Sequence, residues 1–129
     1  MTRFIVDSWA WMEYLQGSHE GAKLRDELND ASNDFLTHAV TLAEIISKVK
    51  RRGKDPDIAW KVITSNSKIL SAGVSDARDA GLLHAEIKTK SSNFSLADAF
   101  VLSSARKMSA KVLTGDPDFK GLPGAVMIR

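Results

Sequence analysis

The 129-residue sequence has no cysteine, one tyrosine and three prolines. Without cysteine there is no disulfide framework, no thiolate-bound zinc and no iron–sulfur cluster. No apolar run approaches the ~20 residues that a membrane-spanning helix requires, so no membrane association is expected. Any Gly-x-Gly-x-x-Gly or phosphate-loop pattern is missing, which argues against dinucleotide or P-loop chemistry. Repeats, low-complexity tracts and linkers are also missing, so residues 1–129 read as one domain. The start of the chain enters a strand-like run at once and lacks the charged-then-apolar shape of a signal peptide. A cytoplasmic location is the expectation. What remains is ordinary globular material, 43% hydrophobic and 26% charged. A chain of this size buries roughly 65–70% of its unfolded surface. The net charge of +2 leans only mildly toward an anionic partner.

Along the chain, short apolar runs alternate with helical patterns. The pattern predicts strands over Arg3 to Val6, Phe35 to Val40, Lys111 to Gly115 and Ala125 to Ile128, with a weaker one over Lys68 to Ala72. Helices are predicted after Asp7 or Ser8, over His19 to Asn29, Thr41 to Arg52, from Asp55-Pro56 onward, over Ser75 to Lys88 and over Ser95 to Lys107. Strands separated by helices imply a mostly parallel sheet covered on both faces. The expected fold class is therefore α/β, a three-layer α/β/α sandwich with about five strands. Strand order is not readable from this pattern.

Asp7 closes the apolar run Phe4-Ile5-Val6, and Asp116 closes Val112-Leu113-Thr114-Gly115. Glu44 and Asp98 each stand three residues after a hydroxyl residue, in Thr41-Leu42-Ala43-Glu44 and Ser95-Leu96-Ala97-Asp98. In a parallel sheet, strand C-termini and the following helix N-termini share one edge, where ligands bind. Carboxylates gathered there repel unless a cation neutralises them. The blander reading makes the two hydroxyl-x-x-acid motifs capping boxes, with Asp7 a helix cap and Asp116 a turn residue. Independent caps leave unexplained why all four acids fall on one predicted edge, so a shared divalent-metal site is the preferred reading.

Ile5-Val6-Asp7-Ser8, Leu42-Ala43-Glu44-Ile45, Leu96-Ala97-Asp98-Ala99 and Leu113-Thr114-Gly115-Asp116-Pro117-Asp118-Phe119 together resemble the PIN-domain nucleases. Within that family the compact chain is similar to VapC-type toxins of toxin–antitoxin pairs. The last motif is the most specific, and the stretch from Gly53 to Asn93 carries nothing diagnostic. The resemblance implies a PIN-like sandwich and a metal-dependent endoribonuclease that leaves 5′-phosphate and 3′-hydroxyl ends. It also implies a cognate antitoxin as partner. One or two Mg2+ or Mn2+ ions suit an all-oxygen ligand set and the hydrolysis of a phosphodiester. Asp7, Asp98 and Asp116 are the candidate ligands, and Glu44 holds a second ion or orients the attacking water. Asp118 is a further candidate that can instead shape the Pro117 turn. The Ser8 and Thr114 hydroxyls are candidates for holding a carboxylate or water in place.

Lys48, Lys50, Arg51, Arg52 and Lys54 place five bases in seven residues on the helix that begins near Glu44. They are candidates for RNA phosphates, for acids of an antitoxin, or for a solvated helix end whose cations offset the macrodipole. Trp9 and Trp11, two apart on a short helix, cannot share a face, so at least one is expected at the surface or in a protein interface. With Met12, Tyr14 and Leu15 they suggest an apolar patch and a homodimer. His19, His38 and His84 show no metal-ligand spacing and are expected at surface or half-buried positions. Two rivals to the nuclease are a non-catalytic RNA- or protein-binding module on the same fold and a receiver-type signalling domain. The receiver reading wants paired acids after the first strand and an aspartate ending a middle one; Asp7 stands alone, and no aspartate ends the run from Phe35.

Overall fold

A computed structural model of the chain describes residues 1–128; Arg129, the last residue of the expected domain, lies outside them. Five strands form a single parallel sheet: β1 (Arg3–Val6), β2 (Asp34–His38), β3 (Lys68–Leu70), β4 (Lys111–Thr114) and β5 (Ala125–Met127), in spatial order β3-β2-β1-β4-β5. Helices α1 (Ser8–Gln16) and α2 (His19–Leu28) link β1 to β2, and α3 (Ala39–Arg51) and α4 (Pro56–Asn66) link β2 to β3. Helices α5 (Val74–Lys88) and α6 (Leu96–Lys107) then carry the chain across to β4. This order differs from the 2-1-3-4-5 sheet of receiver domains, and that rival is set aside.

Alternation along the strands sorts the side chains into two cores. Phe4, Val6, Phe35 and Leu113 face one side, where they pack with Trp11, Leu24, Ile45 and Ile63 from α1–α4. Ile5, Leu36 and Val112 face the other, against Val101, Leu102 and Ala105 of α6 and Ala80 of α5. The sheet is thus covered on both faces, as its continuous apolar strands require. Leu42, Ile45 and Val49 on α3 are buried at helical spacing, and each contributes about 1.5–3 kcal/mol by leaving water. Small side chains at Ala99 and Ala105 let α6 lie close on its sheet face.

The aromatic patch expected near the start of the chain is folded inward only in part. Trp11 is fully buried, and its indole Nε1 donates to Thr37 Oγ1 at 3.1 Å. Thr37 Oγ1 meets Ser67 Oγ at 2.7 Å, so one polar chain ties α1 to β2 and to the end of α4. Met12 is buried and Trp9 packs on the same core. The two-residue offset thus leaves Trp11 inside and Trp9 only partly buried, beside the partly buried Tyr14 and Leu15. The exposed tryptophan is Trp60, 52% exposed on α4.

Several element boundaries differ from expectation. β2 ends at His38 and α3 begins at Ala39, two residues before the Thr41 start. β3 stops at Leu70 and β4 at Thr114, each shorter than its apolar run. No helix among the described residues is long and apolar enough to cross a membrane.

Candidate active site

Strand order places the site. From central β1 the chain moves to β2 on one side, and it later returns to β4 on the other. The C-termini of β1 and β4 therefore flank the point where the winding reverses, the usual ligand crevice of an open parallel sheet. Asp7 follows β1 there, and its N–H donates to the Leu113 carbonyl of β4 at 3.0 Å. Thr114 Oγ1 donates to Asp7 Oδ2 at 2.8 Å and accepts the Asp116 N–H at 3.0 Å. One hydroxyl thus ties together two acids 109 positions apart in sequence (116 − 7). The Ser8 backbone N–H also draws the Asp7 carboxyl downward.

The other acids arrive from two helices and a turn. Ser95 caps α6: its Oγ accepts the Asp98 N–H at 3.0 Å, while Asp98 Oδ2 accepts the Ser95 N–H at 2.9 Å. The capping box at Ser95 is real, and it holds Asp98 by one oxygen. Asp116 caps the 3-10 turn Pro117–Phe119, its Oδ1 accepting the Asp118 N–H at 2.9 Å. Capping and clustering coexist here, because each cap engages one carboxylate oxygen. Asp98, Asp116 and Asp118 each offer an oxygen, and these oxygens lie within 4.8 Å of one another. Trans ligands about a magnesium ion sit roughly 4.2 Å apart, twice a bond of about 2.1 Å. Only one pair among three ligands can be trans, and cis ligands sit about 3.0 Å apart. The carboxylates must therefore close inward to share one ion, and an all-oxygen donor set suits a hard cation.

The electrostatics point the same way. Asp7 is only 3% exposed. Burial, reinforced by Asp98 and Asp116 and opposed by Thr114 and Ser8, pushes its carboxyl up to about 7. Burial first and the Asp116 and Asp118 charges next raise Asp98, and burial with Asp116 raises Asp118. Glu44, half-buried in the second turn of α3, is raised by burial and by Asp98 and lowered by Lys48. All five acids thus share one electrostatic neighbourhood, and a bound dication would relieve it.

The second hydroxyl-x-x-acid motif is not a capping box. The cap of α3 is His38, whose ring Nδ1 accepts the Val40 N–H at 3.1 Å. Thr41 lies inside the first turn, fully buried, and its hydroxyl has no hydrogen-bond partner. Glu44 is released from capping duty. His38, expected near the surface, is 1% exposed against the Phe100 ring, and its Nε2 is also unpartnered. The sequence signal for this cap was its position as the polar residue that closes the apolar run of β2, with a ring acceptor directly before the helix. Of the bases on α3, Lys48 reaches the field of Glu44. Lys50, Arg51 and Arg52 are exposed at the far end of the helix, about 12 Å from Glu44 at ~1.5 Å per residue.

A contact not foreseen from sequence braces the turn between Thr114 and Asp116. A side chain at Gly115 would overlap the indole of Trp9, so ring and backbone are pressed together beside both acids. Gly115→Ala must displace either the ring or the strand end that carries Asp116. We expect a loss of about 1–3 kcal/mol from overpacking and weaker divalent-metal binding, read by thermal melting with and without Mn2+. Gly115→Ala with native melting and native metal response would show that the turn can shift freely.

The comparisons with known proteins agree with this geometry. No curated sequence matches the chain. Among solved structures, it is similar to VapC20 of Mycobacterium tuberculosis, described as a sarcin-ricin loop cleaving toxin. That match has TM-score 0.77 and 15% identity over 94% of this chain and 95% of that one. VapBC2 of Rickettsia felis, bound to a DNA fragment from its promoter, is similar with TM-score 0.75 and 16% identity over 98% and 97%. DNA-bound VapBC of Salmonella typhimurium aligns with TM-score 0.71 and 20% identity over the whole of both chains. The sequence pattern of the PIN domain matches residues 4–125. With the sheet order, the reversal at β1 and β4 and the gathered acids already in place, this near full-length match shows that the chain belongs to the PIN-domain family.

Proposed function

We propose that this chain, as one PIN domain, is a magnesium- or manganese-dependent endoribonuclease and the toxin of a toxin–antitoxin pair. The observation that carries the reading is the gathering of five carboxylates at the β1–β4 reversal, three of them with oxygens within 4.8 Å. Asp98, Asp116 and Asp118 would hold a divalent ion. Asp7, oriented by Thr114, completes that set or supports a second ion. When bound, the ion supplies a water of lowered pKa and positive charge against the phosphoryl oxygens. Glu44 orients the attacking water and accepts its proton on the carboxylate, a role favoured by its upward shift through burial. Lys48, one turn away, holds a substrate phosphate, with Lys50, Arg51 and Arg52 further along the same helix contributing to RNA or partner binding.

RNA as substrate is supported by the neighbouring VapC20, described as cleaving the sarcin-ricin loop. An antitoxin partner is supported by neighbours solved as VapBC assemblies. Apolar surface for protein contacts exists on α4, where Ile58 and Trp60 are 60% and 52% exposed. A homodimer and a cytoplasmic location complete the proposal. The test is cleavage of structured RNAs with Mn2+, comparing the native chain with Asp98→Asn. We expect cleavage that chelator abolishes and that the variant loses. The metal-free variant should be at least as stable as native, because an asparagine oxygen can still accept the Ser95 N–H and carries no charge to repel Asp116. Cleavage insensitive to both chelator and Asp98→Asn would refute the metal mechanism.

A further inference from the structure

Asp118 borders two features. It belongs to the acid cluster with Asp98 and Asp116, and it also lines an open groove of about 400 Å³ between α5, α6 and the 117–123 turn. Lys90, just beyond α5, Arg106, in the last turn of α6, and Lys120, after the 3-10 turn, bring three cations to this groove. Glu86 is its other acid and Ile87 part of its apolar wall. All three cations are exposed, and none is ion-paired among the described residues. The contrast with the adjacent Lys107 is informative: its Nζ lies 2.8 Å from Asp76 and 2.6 Å from Asp79. The surface supplies counter-charges to Lys107 and leaves those in the groove open. Offsetting a helix dipole accounts for Arg106 and for Lys90, just past the cap of α5, but not for Lys120 after the 3-10 turn.

We propose that this groove holds the phosphates of single-stranded RNA flanking the cut bond, the strand passing Asp118 as it leaves the acids. The inference rests on the nuclease reading and specifies where its substrate lies. A polyanion brought to a carboxylate cluster is repelled on both sides of the bond that reaches the ion. Cations immediately beside the cluster offset that repulsion, and the lining of this groove includes a member of the cluster, Asp118. Exposed lysine and arginine contacts to phosphate are independent of sequence and sensitive to salt. The groove therefore supplies affinity and direction, not base choice. An acidic protein segment is the competing occupant.

The test is binding of a fluorescent single-stranded RNA with Mg2+, measured by anisotropy over a salt series in Asp98→Asn protein so that the RNA stays intact. Lys90→Ser, Arg106→Ser and Lys120→Ser are combined and compared with an equal charge loss at Lys23, Lys61 and Lys68, exposed residues elsewhere. Three phosphate contacts contribute about 2 to the slope of log K against log salt, at ~0.7 each. A threefold rise in salt should therefore weaken the parent about tenfold more than the groove variant, while the control variant keeps the groove and follows the parent. Lys120→Ser by itself should lower the slope by about 0.7 and guards against misfolding of the triple variant. A groove variant with the parent's affinity and slope overturns the proposal, and leaves the groove to a protein segment. RNA cleavage by the native chain is scored separately, so a failed groove and a failed nuclease give different results.

Discussion

Replacing Asp7 by asparagine should raise the melting temperature of the metal-free protein at pH 8 while abolishing metal-dependent cleavage. In the folded chain the Asp7 carboxyl is held near 7, against an ordinary value of 3.8. Between those values the unfolded chain releases a proton that the folded chain keeps, so stability falls as pH rises through the window. About three units at ~1.4 kcal/mol each amounts to roughly 4 kcal/mol, lost in full above pH 7. Asp98, Glu44 and Asp118 are shifted in the same direction and steepen the decline. His38 works oppositely: its ring is lowered by burial, so its contribution is lost as pH falls below its ordinary 6.5 toward its folded value. The amide of Asp7→Asn can still accept the Thr114 hydroxyl, and it has no charge to bury. The variant should therefore lose most of the alkaline decline and retain the acid-side loss due to His38. In the native protein, millimolar Mg2+ or Mn2+ should recover much of that stability, about 2.7 kcal/mol at a hundredfold excess over Kd. Melting curves from pH 5 to 8.5, with chelator and with metal, decide it. A metal-free variant no more stable than native at pH 8 would mean that Asp7 carries no electrostatic strain.

The second large effect is expected at Glu44. Glu44→Gln should lower RNA cleavage on the order of 10²-fold if this carboxylate positions or deprotonates the water. Its fold should be untouched. The side chain lies in the second turn of α3, half-exposed, and the helix start is secured by His38. The alternative in which Glu44 merely caps its helix has no geometric basis, so a loss of activity is not attributable to fraying. Chelator-free melting and single-turnover cleavage on the same preparation separate chemistry from folding. Full activity in Glu44→Gln would leave the aspartates to carry the reaction.

The layered sheet was legible because its strands are buried on both faces and read as unbroken apolar runs bounded by helix signals. Asp7 and Asp116 were legible as strand-end acids for the same reason. Strand order was not: the reversal at β1 depends on α5 and α6 passing over the sheet, which periodicity does not encode. The α3 start was misplaced because Thr41-x-x-Glu44 satisfies a local rule that tertiary packing overrides. His38 meets the Val40 N–H first, and Thr41 is drawn into the interior. The indole–backbone contact at Gly115 was invisible because it joins residues more than a hundred positions apart. Asp118 gained weight only once its oxygen was seen beside those of Asp98 and Asp116.

The pairing of β1 with β4 also sets a timetable. A chain emerging from the ribosome exposes Asp7 long before Thr114 and Asp116 follow. Until they emerge, β1 lacks its neighbour on one side, and Asp7 has neither its hydroxyl donor nor its companion acid. Such long-range parallel pairing is slow to form, because loop closure must precede the contacts that reward it. The acid cluster therefore cannot close before synthesis has passed Asp118. A chain stalled or truncated before Lys111 has no means of assembling it, so synthesis itself delays the appearance of any activity the cluster supports.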